Sequence, residues 1–104
     1  MMKIVVLGAG ESGVGAALLA KEKGYDIFVS EKGTIADHHR HTLIENEVPY
    51  EEHQHTKEKL FGATQIVKSP GIPDHLPLIR ELTEANIPVI SEIEFAYQHT
   101  TAKI

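Results

Sequence analysis

The chain has 104 residues, 41% of them apolar and 24% charged, and carries a net charge of −5 when its histidines are neutral. That size and balance describe one globular domain with a single core, and leave no basic field for nucleic acid or an anionic membrane surface. With no cysteine, disulfides, thiolate nucleophiles and cysteine-ligated zinc are excluded, and a reducing, cytoplasmic setting is expected.

The elements alternate regularly along the chain. Lys3 to Leu7 is a short apolar, β-branched run that reads as a buried strand, and it begins so early that no signal peptide is expected ahead of it. A helix is expected from about Ser12 to Lys23, with Val14, Ala17, Leu18 and Lys21 at helical spacing and Gly24 as the residue that ends it. Asp26 to Ser30 is the second strand. A polar helix over Ile35 to Glu45 offers Ile35, Leu43 and Ile44 to the core, and Val48 to Glu51 is a weak edge strand. Thr56 to Phe61 reads as a short helix or turn, and Ala63 to Lys68 as a further apolar strand. His75 to Ala85 forms a helix with Leu76, Leu78, Ile79, Leu82 and Ala85 on one side. Pro88 to Ile90 is a last strand, and Ser91 opens a helix that runs to about His99. No apolar run approaches the roughly 20 residues of a membrane span. Strands and helices in this alternation imply an α/β fold, a doubly wound parallel sheet of about five strands in a single domain.

Chemistry concentrates where such a sheet binds ligands, beyond the carboxyl ends of its strands. The first strand runs straight into Gly8-Ala9-Gly10-Glu11-Ser12-Gly13, a G-x-G-x-x-G turn that opens a helix. Gly8 allows the tight turn, Gly10 has no side chain to keep a phosphate from the backbone, and Gly13 lets the helix lie close on the strand. The unpaired amides and positive dipole end of the helix then attract an anion. Glu31 ends the second strand 18 residues after Gly13, where an acid accepts from ribose hydroxyls or stays solvated, and Lys32 beside it can meet a phosphate or a base edge. Ser69-Pro70-Gly71-Ile72-Pro73 follows a strand and couples a rigid residue with one that allows a positive φ; it lines a ligand or is an ordinary loop. Three segments should therefore converge: the glycine turn, the end of the second strand, and the Ser69–Ile72 turn.

Other groups carry less. His38, His39, His41, His53 and His55 lie in polar stretches without H-E-x-x-H spacing and read as solvated, so no metal site is expected. Glu92 and Glu94 follow Ser91, and S-x-x-E is a helix-capping pattern. No catalytic triad or acid–base pair can be assigned, and no G-x-x-x-x-G-K-[ST] loop is present.

Taken together, Val6-Leu7-Gly8-Ala9-Gly10-Glu11-Ser12-Gly13, Ser69-Pro70-Gly71-Ile72-Pro73 and Ile90-Ser91-Glu92-Ile93-Glu94-Phe95 resemble the amino-terminal domain of the Mur ligases, within them the branch that adds D-glutamate during peptidoglycan synthesis. The resemblance covers essentially the whole chain. Its Ser-Pro-Gly-Ile turn and S-E-I-E-F segment are more specific than the glycine turn, which dehydrogenases share. It implies that residues 1–104 are a Rossmann-like domain binding the UDP part of UDP-N-acetylmuramoyl-L-alanine, excised from a longer enzyme. Central ATP-binding and C-terminal domains would follow, with Thr101-Ala102-Lys103-Ile104 leading toward the ATP loop. ATP and Mg²⁺ belong to that longer enzyme, no cofactor to this domain. There, ATP phosphorylates the substrate carboxylate and the amine of D-glutamate attacks the acyl phosphate, so this part alone is expected to be inactive.

Carried over position by position, the resemblance puts backbone amides of Gly10, Glu11 and Ser12, and the Ser12 hydroxyl, on the diphosphate. The Glu11 carboxylate must then point away. Gly8 and Gly13 shape the turn, Glu31 and Lys32 border uracil and ribose, and Ser69, Pro70 and Gly71 line the opposite wall. The alternative is an NAD(P)-binding domain of an oxidoreductase, or an NAD-sensing regulatory domain, supported by the spacing of Gly8, Gly10, Gly13 and Glu31. A dehydrogenase has no reason to carry the Ser69–Ile72 turn and the Ser91–Phe95 segment together.

Overall fold

A computed structural model describes residues 2–99, so the segment Thr101 to Ile104 lies outside the described residues. Five parallel strands form one sheet in the order β3-β2-β1-β4-β5: β1 Lys3–Leu7, β2 Asp26–Ser30, β3 Tyr50–Glu51, β4 Gln65–Lys68 and β5 Val89–Ser91. Five helices connect and follow them: α1 Glu11–Glu22, α2 Asp37–Glu45, α3 Lys57–Phe61, α4 Pro77–Glu84 and α5 Glu92–Gln98. This is the doubly wound α/β domain implied by the alternation. Strand order reverses between β1 and β4, where the crossovers stop running outward through β2 and β3 and start running toward β5.

Pleating divides each strand between two cores. Ile4, Val6, Ile27 and Val29 pack with Val14 and Ala17 of α1, Leu43 of α2 and Phe95 of α5, while Val5, Leu7, Phe28 and Ile66 pack with Leu60 of α3 and with Ile79 and Leu82 of α4. Both faces of the sheet are covered, which is why β1 is apolar from Ile4 to Leu7 rather than alternating. Ile4, Val5 and Val6 are wholly buried, each stabilising the fold by roughly 1.5–3 kcal/mol, so the strand that launches the glycine turn is firmly held.

The strands begin and end within a residue or two of expectation, and β1 and β2 coincide with it. Helix α1 starts and stops one residue earlier, and it buries Gly13, Val14, Ala16, Ala17 and Ala20. Lys21 is exposed and donates to the Glu47 carbonyl at 3.3 Å, a polar partner outside the core. Ile44 is 58% exposed because α2 presents a single narrow stripe to the sheet and its neighbour Leu43 fills it. Leu76 and Ala85 are the caps of α4 rather than members of it, and both are exposed. Helix α1 closes as expected at Gly24 (φ 84°), with amides of Gly24 and Tyr25 donating to Lys21 and Ala20 carbonyls. The same closure ends α2 with Glu47 at φ 56° and α4 with Asn86 at φ 65°.

Candidate functional site

The reversal point between β1 and β4 opens into a cleft of about 490 Å³. Gly8 and Gly10 from the turn after β1, Glu31 and Lys32 after β2, and Ser69 and Ile72 after β4 line it, with Leu76 to Ile79 closing the far wall. The three segments singled out by topology thus share one cavity. Of the ten residues named from the sequence, Gly8, Gly10, Glu31, Lys32 and Ser69 line it; Glu11, Ser12, Gly13, Pro70 and Gly71 lie outside its lining.

Each glycine of the turn has a separate physical task. Gly8 sits at φ 100°, and its amide donates to the Ser30 carbonyl at 2.9 Å, tying β1 to β2 at their ends. A Cβ on Gly13 would lie 1.9 Å from the Gly8 carbonyl oxygen, so the closeness of α1 to β1 depends on having none. Gly10 differs from both, since a Cβ there would meet nothing within 4 Å. The fold itself therefore sets no steric limit at that position. The Ala9 amide donates to Glu31 Oε1 at 2.7 Å, and the first helical bond runs from Val14 to the Gly10 carbonyl. Among the described residues no bond engages the amides of Gly10, Glu11, Ser12 and Gly13. Four free donors at the positive end of a 12-residue helix suit an anion.

Glu31 is half-buried, and both its oxygens serve the backbone, Oε2 accepting from the Gly33 amide at 2.9 Å. It holds the glycine turn and its own loop together, leaving lone pairs for a hydroxyl donor. Lys32 is exposed and has no ion-pair partner among the described residues. Across the cleft, Ser69-Pro70-Gly71-Ile72 is a hydrogen-bonded turn, with the Ile72 amide donating to the Ser69 carbonyl at 3.0 Å. The positive φ that glycine allows is not used at Gly71, which stays outside the left-handed region. Lys68, 8% exposed, braces this loop from beneath by donating to the Ile72 carbonyl at 2.9 Å and pairing with Asp74 at 3.0 Å.

Two placements depart from expectation. The Ser12 hydroxyl donates to Glu92 Oε1 at 2.6 Å, on a separate groove between α1 and α5, so it faces a carboxylate there. Glu92 is 4% exposed, and its Oε2 has no partner among the described residues. The capping function belongs to Ser91 and the Glu94 amide, 3.1 Å apart. His55, expected to be solvated, is half-buried and lines the cleft. Its Nδ1 lies 2.6 Å from Ser30 Oγ, which also meets Glu51 Oε2 at 2.8 Å. Burial pushes the His55 pKa down, and Lys32 adds to the push, against the opposing charges of Glu51 and Glu31. Burial raises the Glu51 carboxyl, but the amide and hydroxyl of Thr56, the Ser30 hydroxyl and His55 outweigh it, leaving the carboxyl below its usual range. No group of three or more metal-ligating side chains occurs among the described residues, and none of their helices is long and apolar enough to cross a membrane.

The MurD N-terminal domain family matches residues 3–76. The chain is 53% identical over its whole length to a UDP-N-acetylmuramoylalanine--D-glutamate ligase of Bacteroides fragilis, of which it spans 23%, and 54% identical over 99 residues (95% of this chain) to the ligase of that name from Porphyromonas gingivalis, of which it spans 22%. Among solved structures, a murein peptide ligase from Psychrobacter arcticus superposes over 96% of this chain and 21% of its own, with a TM-score of 0.83 at 20% identity. A UDP-N-acetylmuramate-alanine ligase from Thermotoga maritima superposes over 94% of this chain and 22% of its own, with a TM-score of 0.77 at 19% identity. At such identities those structures support the fold, while the family rests on the sequence matches.

Proposed function

Because the chain belongs to the MurD N-terminal domain family, we propose that it binds the UDP moiety of UDP-N-acetylmuramoyl-L-alanine within an ATP-dependent ligase that adds D-glutamate in peptidoglycan synthesis. In that role the chain is the substrate-holding part of a cytoplasmic enzyme about four times its length, which matches its span of 23% of the Bacteroides fragilis relative. The ATP and Mg²⁺ that drive the ligation, and the groups that bind D-glutamate, would come from the central and C-terminal domains.

The observation that carries the proposal is the pairing of four free amides, Gly10 to Gly13, with an open face at Gly10 inside the cleft at the strand-order reversal. A diphosphate has the charge and acceptor geometry to take those donors. The net charge of −5 supplies no general attraction, so the grip must come from this local arrangement. Glu31 and Lys32 then border ribose and uracil, while Ser69 faces them from the opposite side, on the turn whose Pro70 and Gly71 lie outside the lining. The backbone amide of Ser12 serves the phosphate, and its hydroxyl stays with Glu92.

Calorimetry with UDP, UDP-N-acetylmuramoyl-L-alanine, NADH and ATP tests this. UDP should bind the isolated chain with a dissociation constant of roughly 0.1–1 mM, about −5 kcal/mol, since two of the three substrate-enclosing domains are missing. Tight NADH binding with no heat from either uridine ligand would replace the proposal with a dinucleotide-binding one.

A further inference from the structure

We propose that His55 determines the base specificity of the cleft, its Nε2 accepting the N3–H of a uracil ring; this deepens the proposed function and rests on it. The argument begins with a proton count at Ser30. That side chain is wholly buried, and its Oγ lies 2.8 Å from Glu51 Oε2, 3.2 Å from the Gln54 carbonyl and 2.6 Å from His55 Nδ1. A hydroxyl has one proton to give. The carboxylate can only accept, and it is held ionised by the Thr56 amide at 2.8 Å and by the Thr56 hydroxyl. Ser30 therefore donates to Glu51 and accepts from His55, which places the imidazole proton on Nδ1.

The rest follows from the ring's surroundings. Burial favours the neutral imidazole; the charged groups acting on it are Glu51 on β3 and Glu31 and Lys32 after β2. A neutral ring protonated at Nδ1 presents a lone pair at Nε2, and among the described residues no bond engages that atom. The ring lines the cleft beside Lys32, which can only donate. This wall thus asks for a donor from the ligand at His55 and an acceptor at Lys32. The Watson–Crick edge of uracil offers acceptor, donor, acceptor. Cytosine puts a lone pair at N3, which would face the lone pair of Nε2, and adenine puts one at N1. A site built around a hydrogen bond rejects a ligand that cannot make it far more strongly than an apolar pocket rejects a misfit.

Nuclear magnetic resonance titration of the 104-residue chain with UDP and with CDP at pH 7.5 tests the proposal. The expected result is UDP binding at least 10-fold tighter than CDP, with His55→Phe weakening UDP about 10-fold and leaving CDP unchanged. Imidazole ¹⁵N spectra of the unmodified chain give a second reading that needs no variant. Nδ1 should be protonated and Nε2 unprotonated, and Nε2 should shift on adding UDP but not CDP. If UDP keeps its advantage in the folded variant, or if both nucleotides weaken together, His55 does not read the base and the inference fails while UDP binding stands. A proton on Nε2 would overturn it as well. If the unmodified chain binds neither nucleotide, the proposed function itself fails.

Discussion

Gly13→Ala separates a steric account of the glycine turn from one based on helix propensity. Alanine is a better helix former than glycine by about 1 kcal/mol, and Gly13 lies inside α1. The structure predicts the opposite sign. The new Cβ would sit 1.9 Å from the Gly8 carbonyl oxygen, about 1 Å short of the 3.0 Å that real Cβ atoms respect. Gly8 cannot yield, because its amide is bonded to Ser30 and its φ of 100° is fixed by the turn. Helix α1 must slide instead, carrying its own wholly buried Ala17 and Ala20 out of their places in the core. Overpacking of that kind costs about 3 kcal/mol, the upper part of its usual range, so the net loss after the propensity gain is about 2 kcal/mol. For a domain of this size the melting temperature should fall by about 8–16 °C, read by far-ultraviolet circular dichroism. Gly15→Ala, where a Cβ meets nothing within 4 Å, is the control and should raise it by a few degrees. An unchanged or higher melting temperature for Gly13→Ala would refute the reasoning.

Gly10→Val should fold to within about 1 kcal/mol of the parent, because its backbone at φ −81° and ψ −168° is extended and its Cβ direction is open. Its UDP affinity should fall more than 10-fold by calorimetry, whereas a loss of folding would assign Gly10 to the turn alone. Glu47→Gly relieves a left-handed glutamate at the end of α2 and should add about 0.5–1 kcal/mol in urea unfolding. Stability should fall as the pH is lowered. Below 6.5 the unfolded chain protonates His55 before the folded one does, and below 4.5 the bonded Glu51 carboxylate is lost in turn. His55→Asn should flatten the upper part of that profile in thermal melts.

How far the fold could be read ahead depends on whether each signal is local. Strands β1 and β2 were legible because apolar β-branched runs end at glycine or charge, and Gly24 and the Ser91 cap carry their meaning in adjacent residues. Glu47 ends α2 as Gly24 ends α1, yet glutamate gives no sign of a left-handed turn. Ile44 and Leu43 look equivalent on a hydropathy reading, and only the width of the docked stripe decides which is buried. The cleft was legible in outline, since the doubly wound topology dictates which loops meet. Its polar detail was not. His55 lies in a polar run, and its burial comes from Ser30, 25 residues earlier. Glu92 meets Ser12 across 80 residues, a distance over which sequence spacing carries no information.

The central claim is that main-chain donors at the start of α1 hold a uridine diphosphate. The most direct measurement is an amide-resolved titration of the ¹⁵N-labelled chain with UDP. The account predicts that the largest shifts fall at Gly10, Glu11, Ser12 and Gly13, with smaller ones at Glu31, Lys32 and Ser69. Shifts confined to other surfaces, or a turn that responds to NADH and ignores UDP, would contradict it.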